Sequence, residues 1–163
     1  MLKIGDAIVH PLHGAGTICG IEQRKFGGIE SDYFQIKISF GEMLVLIPTD
    51  NCEAVGIRPI ISLEKAREVL AAIPSIDIDE EPNWNKRYKD NMERIRSGDL
   101  LSVAAVIKSL VRRERRRGLS TGERKMLHSA KQIFVSELSL SMELSCQEAE
   151  DALFAAIDED LGA

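Results

Sequence analysis

A tryptophan beside a block of basic residues is the feature of this 163-residue chain best suited to bind a ligand. Residues 83–131 hold fourteen of the twenty-one Lys and Arg and only five Asp and Glu, a formal charge of +9 in a chain whose total is −5. Trp84, the only tryptophan, precedes Lys86, Arg87 and Lys89. Clustered cations attract polyphosphates, and an aromatic ring can stack on bases or wedge between them. The block therefore indicates a nucleic-acid contact.

Two interpretations of Trp84 differ in where its side chain lies. Trp84, Tyr88, Met92 and Ile95 recur at helical spacing, so they share one helix face, and spacing alone favours a position in the core. The place of Trp84 at a helix start, just after Pro82, instead favours an exposed ring. We predict the exposed position.

A second run of cations falls on the following predicted helix. Lys108, Arg112 and Arg115 recur at i, i+4 and i+7, and Arg113, Arg116 and Arg117 lie beside them. Such a run is usually only a solvated helix face. Like charges on two adjacent helices reduce stability, however, unless a polyanion is bound. The run therefore favours contact with nucleic acid or phosphate.

Other kinds of site find little support. His10 and His13 flank a Pro-Leu turn, but no carboxylate or second cysteine completes a familiar metal-site spacing, so we interpret them as turn histidines. The three cysteines are far apart, which argues against disulfides or a zinc knuckle. No nucleophile elbow, P-loop or dinucleotide fingerprint occurs, and the acids at 79–81 lie in a predicted exposed linker. We predict no enzyme activity, no cofactor and no small-molecule substrate.

The bulk composition is typical of a soluble protein. Hydrophobic residues make up 44% of the chain, which is enough for a core, and 29% of residues are charged. No apolar run approaches the roughly 18–20 residues that a membrane helix needs. The first residues lack the apolar stretch of a secretory signal. We therefore expect a cytoplasmic protein with no membrane partner.

Residues 1–57 have the pattern of short strands. Segments rich in Ile, Val, Phe and Tyr are separated by turn signals such as Gly27-Gly28, which favours a tight hairpin. Five short strands in under sixty residues predict a small Tudor- or SH3-like β barrel. The predicted strands are Ala7–His10, Thr17–Lys25, Tyr33–Ser39, Met43–Ile47 and Cys52–Val55.

Residues 58–163 have a helical period instead. Capping residues and Gly or Pro stops divide them into five helices that would pack as a bundle. The first two are Leu63–Ile73 and Asn83–Ser97, Asp99 caps a third that runs to Arg117, and Ser120 and Ser145 open the last two. An acidic linker, Ser75–Pro82, joins the first helix to the second. The fold class is therefore α+β, with a barrel domain at 1–57 and a helical domain at 58–163.

These residues together resemble the CarD/CdnL family of bacterial transcription regulators. The run GDAIVHPLHGAG at residues 5–16 is similar to the polymerase-interacting domain that this family shares with transcription-repair coupling factors. The second signature comprises Asn83-Trp84 through Tyr88-Lys89, Ser97-Gly98-Asp99, and residues 117–127. The resemblance covers nearly the whole chain in order.

The resemblance implies a mechanism. The Tudor-like domain would dock on the β subunit of RNA polymerase, in part by strand pairing at an edge. The helical domain would contact promoter DNA at the upstream edge of the melted region, where the tryptophan wedges into the minor groove and opposes bubble collapse. DNA contacts would be mainly to the backbone, with weak sequence preference, and ribosomal RNA promoters would be among the targets.

The resemblance also assigns residues. Trp84 would be the wedge, and Arg24 matches a basic position that contacts polymerase. Leu46 stands where some relatives carry a second basic contact. The cations expected to face DNA are Lys86, Arg87, Lys89, Arg113, Arg124 and Lys125.

Two other functions remain open from the residues themselves. The basic helices could bind an acidic protein partner, which would make the chain a protein-interaction adaptor. They could equally bind structured RNA. Duplex binding that weakens steeply with salt distinguishes the DNA hypothesis from the first alternative, because phosphate contacts release counterions.

Overall fold

The β-rich pattern of the first sixty residues folds into one antiparallel sheet. The computed structural model describes residues 2–78 and 80–162. Its strands are β1 Ala7–His10, β2 Gly14–Phe26, β3 Ile29–Ile38, β4 Leu44–Pro48 and β5 Arg58–Pro59, in the order β4-β3-β2-β1-β5. Alternate residues of β1 to β4 point inward, and Ile8, Ile18, Ile36 and Ile47 form much of the core. The outer edges of β4 and β5 end the sheet.

The Gly27-Gly28 hairpin is confirmed. Both glycines have positive φ, +58° and +83°, and Phe26 pairs with Ile29 across the turn. Two consecutive positive φ values match the twist of the flanking strands, and glycine reaches them without a Cβ clash. The turn thus fixes the register of the longest pair of strands.

The predicted strand at Cys52–Val55 is wrong. This segment is a short helix, α1, and the fifth strand is Arg58–Pro59, which pairs with β1. Glu53 and Ala54 have low strand propensity. Gly56, at φ +95°, ends the helix in the left-handed conformation and turns the chain toward β1.

Five longer helices follow, as the sequence predicts. They are α2 Leu63–Ala72, α3 Trp84–Arg96, α4 Leu100–Arg117, α5 Thr121–Met142 and α6 Cys146–Leu161, with a 3-10 turn at Ile73–Ser75. Each begins after a residue whose side chain accepts a hydrogen bond from the first turn. These capping residues are Ser62, Asn83, Asp99, Ser120 and Ser145. No helix in the described ranges is both long and apolar enough to cross a membrane.

Lys108 does not belong to the cationic surface that its spacing predicts. Its side chain is fully buried, and Nζ donates to the carbonyl oxygens of Ile73, Pro74 and Ile76 at 2.9–3.1 Å. The carboxylate of Asp160 lies 2.8 Å from the same nitrogen. This ammonium ties the end of α2 and the start of the linker to α4 and α6.

Helix α5 joins the bundle to the sheet. Glu137 is fully buried, and its carboxylate accepts two hydrogen bonds from Arg58 of β5, at 2.6 and 2.8 Å, and one from the Ile61 backbone. One residue earlier, Ser136 Oγ accepts from the Ala15 backbone of β2 at 2.7 Å. These directional bonds fix how α5 lies on the sheet.

We predict that Arg58→Ala lowers the free energy of unfolding by about 3 kcal/mol, because it leaves the buried Glu137 carboxylate without its cation. Chemical denaturation followed by circular dichroism measures the change. The matched control is Lys65→Ala, which breaks an exposed pair with Glu68 and should change stability by at most about 0.5 kcal/mol. Equal midpoints for the two variants would contradict the prediction.

Candidate nucleic-acid interface

The start of α3 places Trp84 at the surface. Asn83 caps the helix through a 3.0 Å bond from the Lys86 backbone to its Oδ1, and Trp84 is the first helical residue. Burial falls along the shared face of α3, from Ile95 in the core, through half-buried Met92, to Trp84 at 42% exposed. The four residues do share a face, but the core covers only its far end. The predicted exposure of Trp84 is confirmed.

Neighbouring side chains hold the indole in one orientation. Its Nε1 donates a 3.2 Å hydrogen bond to Ser120 Oγ, and its ring stacks on Tyr88 with centroids 5.1 Å apart and planes 19° from parallel. Gly122 lies beside both rings, and a Cβ there would make ordinary van der Waals contacts, 3.6 Å from Trp84 and 3.8 Å from Tyr88. The sequence shows Ser120 only as a helix cap, so its second role is visible only in the fold.

Arg87 lies inside the protein rather than on its surface. It is 7% exposed, and its guanidinium bonds to Glu123 through Nε at 3.0 Å and Nη2 at 3.4 Å. Its Nη1 donates to the Glu81 carbonyl at 2.9 Å. The expectation that Arg87 faces DNA therefore does not fit its position. Its side chain instead pins the start of α3 to the first turn of α5.

Glu123 has a lowered pKa although its side chain is buried. Burial by itself disfavours the ionised carboxylate. The hydrogen bond and charge of Arg87, the charge of Arg113 and the hydroxyl of Ser120 outweigh burial and lower the pKa of Glu123 below its usual value. The Glu123 carboxylate is thus ionised at neutral pH.

The remaining predicted cations surround the indole from two helices. Lys86 pairs with Glu81 at 3.1 Å, and half-buried Arg113 lies 3.8 Å from Glu123. Three others are exposed and form no ion pair within residues 2–78 and 80–162. They are Lys89 on α3 and Arg124 and Lys125 in the first turns of α5.

A groove beside the stacked rings continues this surface. It has a volume of about 320 Å³ and runs between α3 and α5, lined by Tyr88, Gly122, Lys125 and Met126. An aromatic platform and unpaired cations at one helix junction form the combination that binds nucleic acid by stacking and backbone contact.

The expected polymerase residues lie on the outer face of the sheet. Arg24 pairs with Glu22 at 2.8 Å, and Glu22 also accepts a 3.0 Å bond from Gln35. Gln35 is opposite Leu46, a half-buried residue of β4. The hydrogen bond from Gln35 and the contact with Arg24 lower the pKa of Glu22. Arg24 and Leu46 therefore flank one polar cluster near the edge of the sheet.

The paired histidines have a local role. His10 is buried, its Nδ1 accepts a 3.0 Å bond from the Leu12 backbone, and its ring lies 4.6 Å from that of His13. Burial, together with the charge of His13, lowers the pKa of His10 from 6.5 to about 4. The described residues contain no group of three His, Cys, Asp or Glu that could hold a metal ion. The geometry fits the interpretation as turn histidines.

Comparison with known proteins finds similarity over most of the chain. Residues 68–154 match the family model "CarD, C-terminal domain", and residues 2–61 match "CarD-like/TRCF RID domain". The protein named "Putative transcription factor YdeB" from Bacillus subtilis (strain 168) is 34% identical over 140 residues. That alignment covers 86% of this chain and 92% of the relative.

We predict that alanine substitutions of Arg87 and Trp84, one turn apart on α3, lower stability by very different amounts. Arg87→Ala leaves a buried carboxylate unpaired and should lower the free energy of unfolding by about 3–5 kcal/mol. Trp84→Ala removes an exposed ring and one exposed hydrogen bond, and should cost about 1 kcal/mol or less. Urea unfolding of both variants measures the difference. A Trp84→Ala protein as unstable as Arg87→Ala would place the indole in the core.

Proposed function

The chain belongs to the CarD family, and we propose that it regulates transcription by binding RNA polymerase and promoter DNA together. It docks on the polymerase β subunit through its sheet and stabilises the open promoter complex through its helical domain, at promoters that include those of ribosomal RNA. The observation that carries this proposal is the exposed indole of Trp84, held by Ser120 and Tyr88 beside unpaired cations.

The DNA arm of the proposal follows from the geometry around Trp84. Unstacking a base step costs a few kcal/mol, and an inserted ring offsets part of that cost. A ring held by a hydrogen bond and a stacked neighbour loses little freedom when it inserts. Lys89, Arg124 and Lys125 supply backbone contacts, which position the protein without reading sequence. We therefore place the wedge at a distorted step, such as the edge of the transcription bubble.

The polymerase arm rests on the exposed edge of the sheet. Strand β4 ends the sheet, so its outer edge can accept a strand from a partner. Leu46 offers apolar packing there, and Arg24, about half exposed, offers a charge. Two bonds then fix α5 on the sheet, one from Arg58 of β5 to Glu137 and one from the Ala15 backbone of β2 to Ser136. They hold the docking edge and Trp84 in a fixed relative position.

Little energy is needed for such a regulator to act. About 1.4 kcal/mol of preferential binding to the open state shifts the ratio of open to closed complexes tenfold. Stacking of one base on an aromatic side chain, worth about 1–3 kcal/mol, is already on this scale. Tight binding to free DNA is not required.

We predict that Trp84→Ala shortens the lifetime of open promoter complexes several-fold while polymerase binding stays intact. Alanine cannot fill the space between base steps, whereas phenylalanine fills part of it, so Trp84→Phe should fall between the variant and the wild type. Competitor-challenge decay of complexes on a ribosomal RNA promoter measures the lifetime. An unchanged lifetime for Trp84→Ala would remove the wedge from the mechanism.

We predict that two charge reversals separate the two arms. Arg24→Glu should weaken binding to the β subunit and leave binding to free duplex unchanged. Replacing Arg124 and Lys125 together with Glu should do the converse, weaken duplex binding similarly on all sequences, and flatten its salt dependence. Pull-down of the β subunit and fluorescence anisotropy on two unrelated duplexes measure both. Loss of β-subunit binding in the Arg124/Lys125 variant would argue for an acidic protein partner of the basic helices.

A further inference from the structure

Glu80 of the acidic linker pairs with two arginines of α4. Glu80 Oε1 lies 2.9 Å from Arg116 Nη1 and 3.0 Å from Arg112 Nη2, so a single oxygen bridges two guanidinium groups one helical turn apart. Guanidinium groups form charge-assisted hydrogen bonds with carboxylate and phosphate oxygens alike, so a phosphate can take the place of this carboxylate. The linker thus supplies an internal anion at this point of the surface.

The cavity around this contact is lined by a residue with one unused donor. Its volume is about 150 Å³, and its walls include Arg112, Arg113, Arg116 and Arg117. Nε of Arg112 is buried and has no hydrogen-bond partner among residues 2–78 and 80–162. One carboxylate cannot satisfy this nitrogen and both outer contacts together in the observed geometry. A tetrahedral oxyanion has more acceptor oxygens, directed to more sides, and could reach all three.

The charges around the cavity also favour a stronger anion. Arg87 and Arg113 face Glu123, which leaves Glu80 as the one carboxylate paired with Arg112 and Arg116 among residues 2–78 and 80–162. Arg117, which also lines the cavity, has no ion pair within those ranges. Excess positive charge therefore remains beside Glu80.

We propose that Arg112 and Arg116 form a phosphate-binding site that the carboxylate of Glu80 fills in the free protein. An incoming phosphate displaces the carboxylate, gains the charge-assisted bonds to Arg112 and Arg116, and accepts from Arg112 Nε. The phosphate comes either from a nucleic-acid backbone or from a free oligophosphate, since both present the same oxyanion. If the phosphate belongs to nucleic acid, the site extends the DNA surface and the inference rests on the proposed function. If it belongs to a free oligophosphate, the inference is independent of the proposed function.

Displacement of Glu80 needs only a side-chain rotation. Its side chain is 61% exposed, and exposed ion pairs are weak. The linker on either side is anchored, by Lys108 Nζ at the carbonyls of Ile73, Pro74 and Ile76 and by Arg87 at the carbonyl of Glu81. The carboxylate can therefore leave while these anchors stay in place.

The test compares two variants of the same linker, each of which removes one negative charge. Glu80→Gln removes the internal anion, whereas Asp77→Asn makes the same charge change at an exposed residue that has no ion pair within the described part of the chain. Titration calorimetry with inorganic pyrophosphate and anisotropy with a duplex measure phosphate binding by the full-length proteins. We expect Glu80→Gln to raise affinity for at least one probe by roughly threefold or more, the scale of an exposed pair. Asp77→Asn should change it much less.

A third variant ties any gain to the site. Arg116 is mostly exposed, so Arg116→Gln should fold normally, which thermal unfolding checks, and adding it to Glu80→Gln should cancel the gain. A gain with the duplex alone identifies the backbone as the source, and a gain with pyrophosphate alone identifies a free oligophosphate. Equal effects of Glu80→Gln and Asp77→Asn, or no gain with either probe, would overturn the proposal. Open-complex lifetimes of the wild type test the proposed function separately.

Discussion

The buried ion pair between Arg87 and Glu123 is the interaction on which the candidate surface depends. It joins the first turn of α3 to the first turn of α5, and both turns contribute to the seat of the indole. A buried pair of this kind adds little net stability relative to apolar packing. It does fix geometry, because guanidinium and carboxylate bind in only a few relative orientations. The exposed ring of Trp84 is therefore positioned by charges that never reach the surface.

The other buried charges also fix the relative positions of secondary-structure elements. Lys108 gathers the carbonyls at the end of α2 and the start of the linker, and Glu137 receives Arg58 from the sheet. Each of these ions lies where two or three elements meet. Apolar contacts would hold such elements together but would allow them to slide. Ionic and hydrogen-bonded junctions set their angles and register instead.

Sequence reasoning predicts the elements better than the partners of their side chains. The five helices are visible in advance because Ser62, Asn83, Asp99, Ser120 and Ser145 cap them locally, and the Gly27-Gly28 turn is likewise a local signal. Arg87 looks like a surface cation because its neighbours in sequence are basic, and Lys108 does so because it shares helical spacing with Arg112 and Arg115. Their burial depends on Glu123, on Asp160 and on backbone carbonyls more than thirty residues away, which no local pattern encodes. The segment Cys52–Val55 is misread for a different reason, since the low strand propensity of Glu53 and Ala54 and the helix-ending Gly56 are local signals against a strand.

Helix α5 sets the distance and direction between the sheet and Trp84. Glu123 bonds to Arg87 at the end of α5 beside the indole, and Ser136 bonds to the sheet thirteen residues further along, or about 20 Å at 1.5 Å per residue. Each residue also turns the helix by about 100°. Inserting one residue between Glu123 and Ser136 would therefore rotate the indole by a quarter turn or more about the axis of α5, relative to the sheet. An insertion of seven residues, close to two full turns, would restore the direction of the indole relative to the sheet but move it about 10 Å further from the sheet along α5. The spacing along this helix therefore sets both the reach and the direction of Trp84.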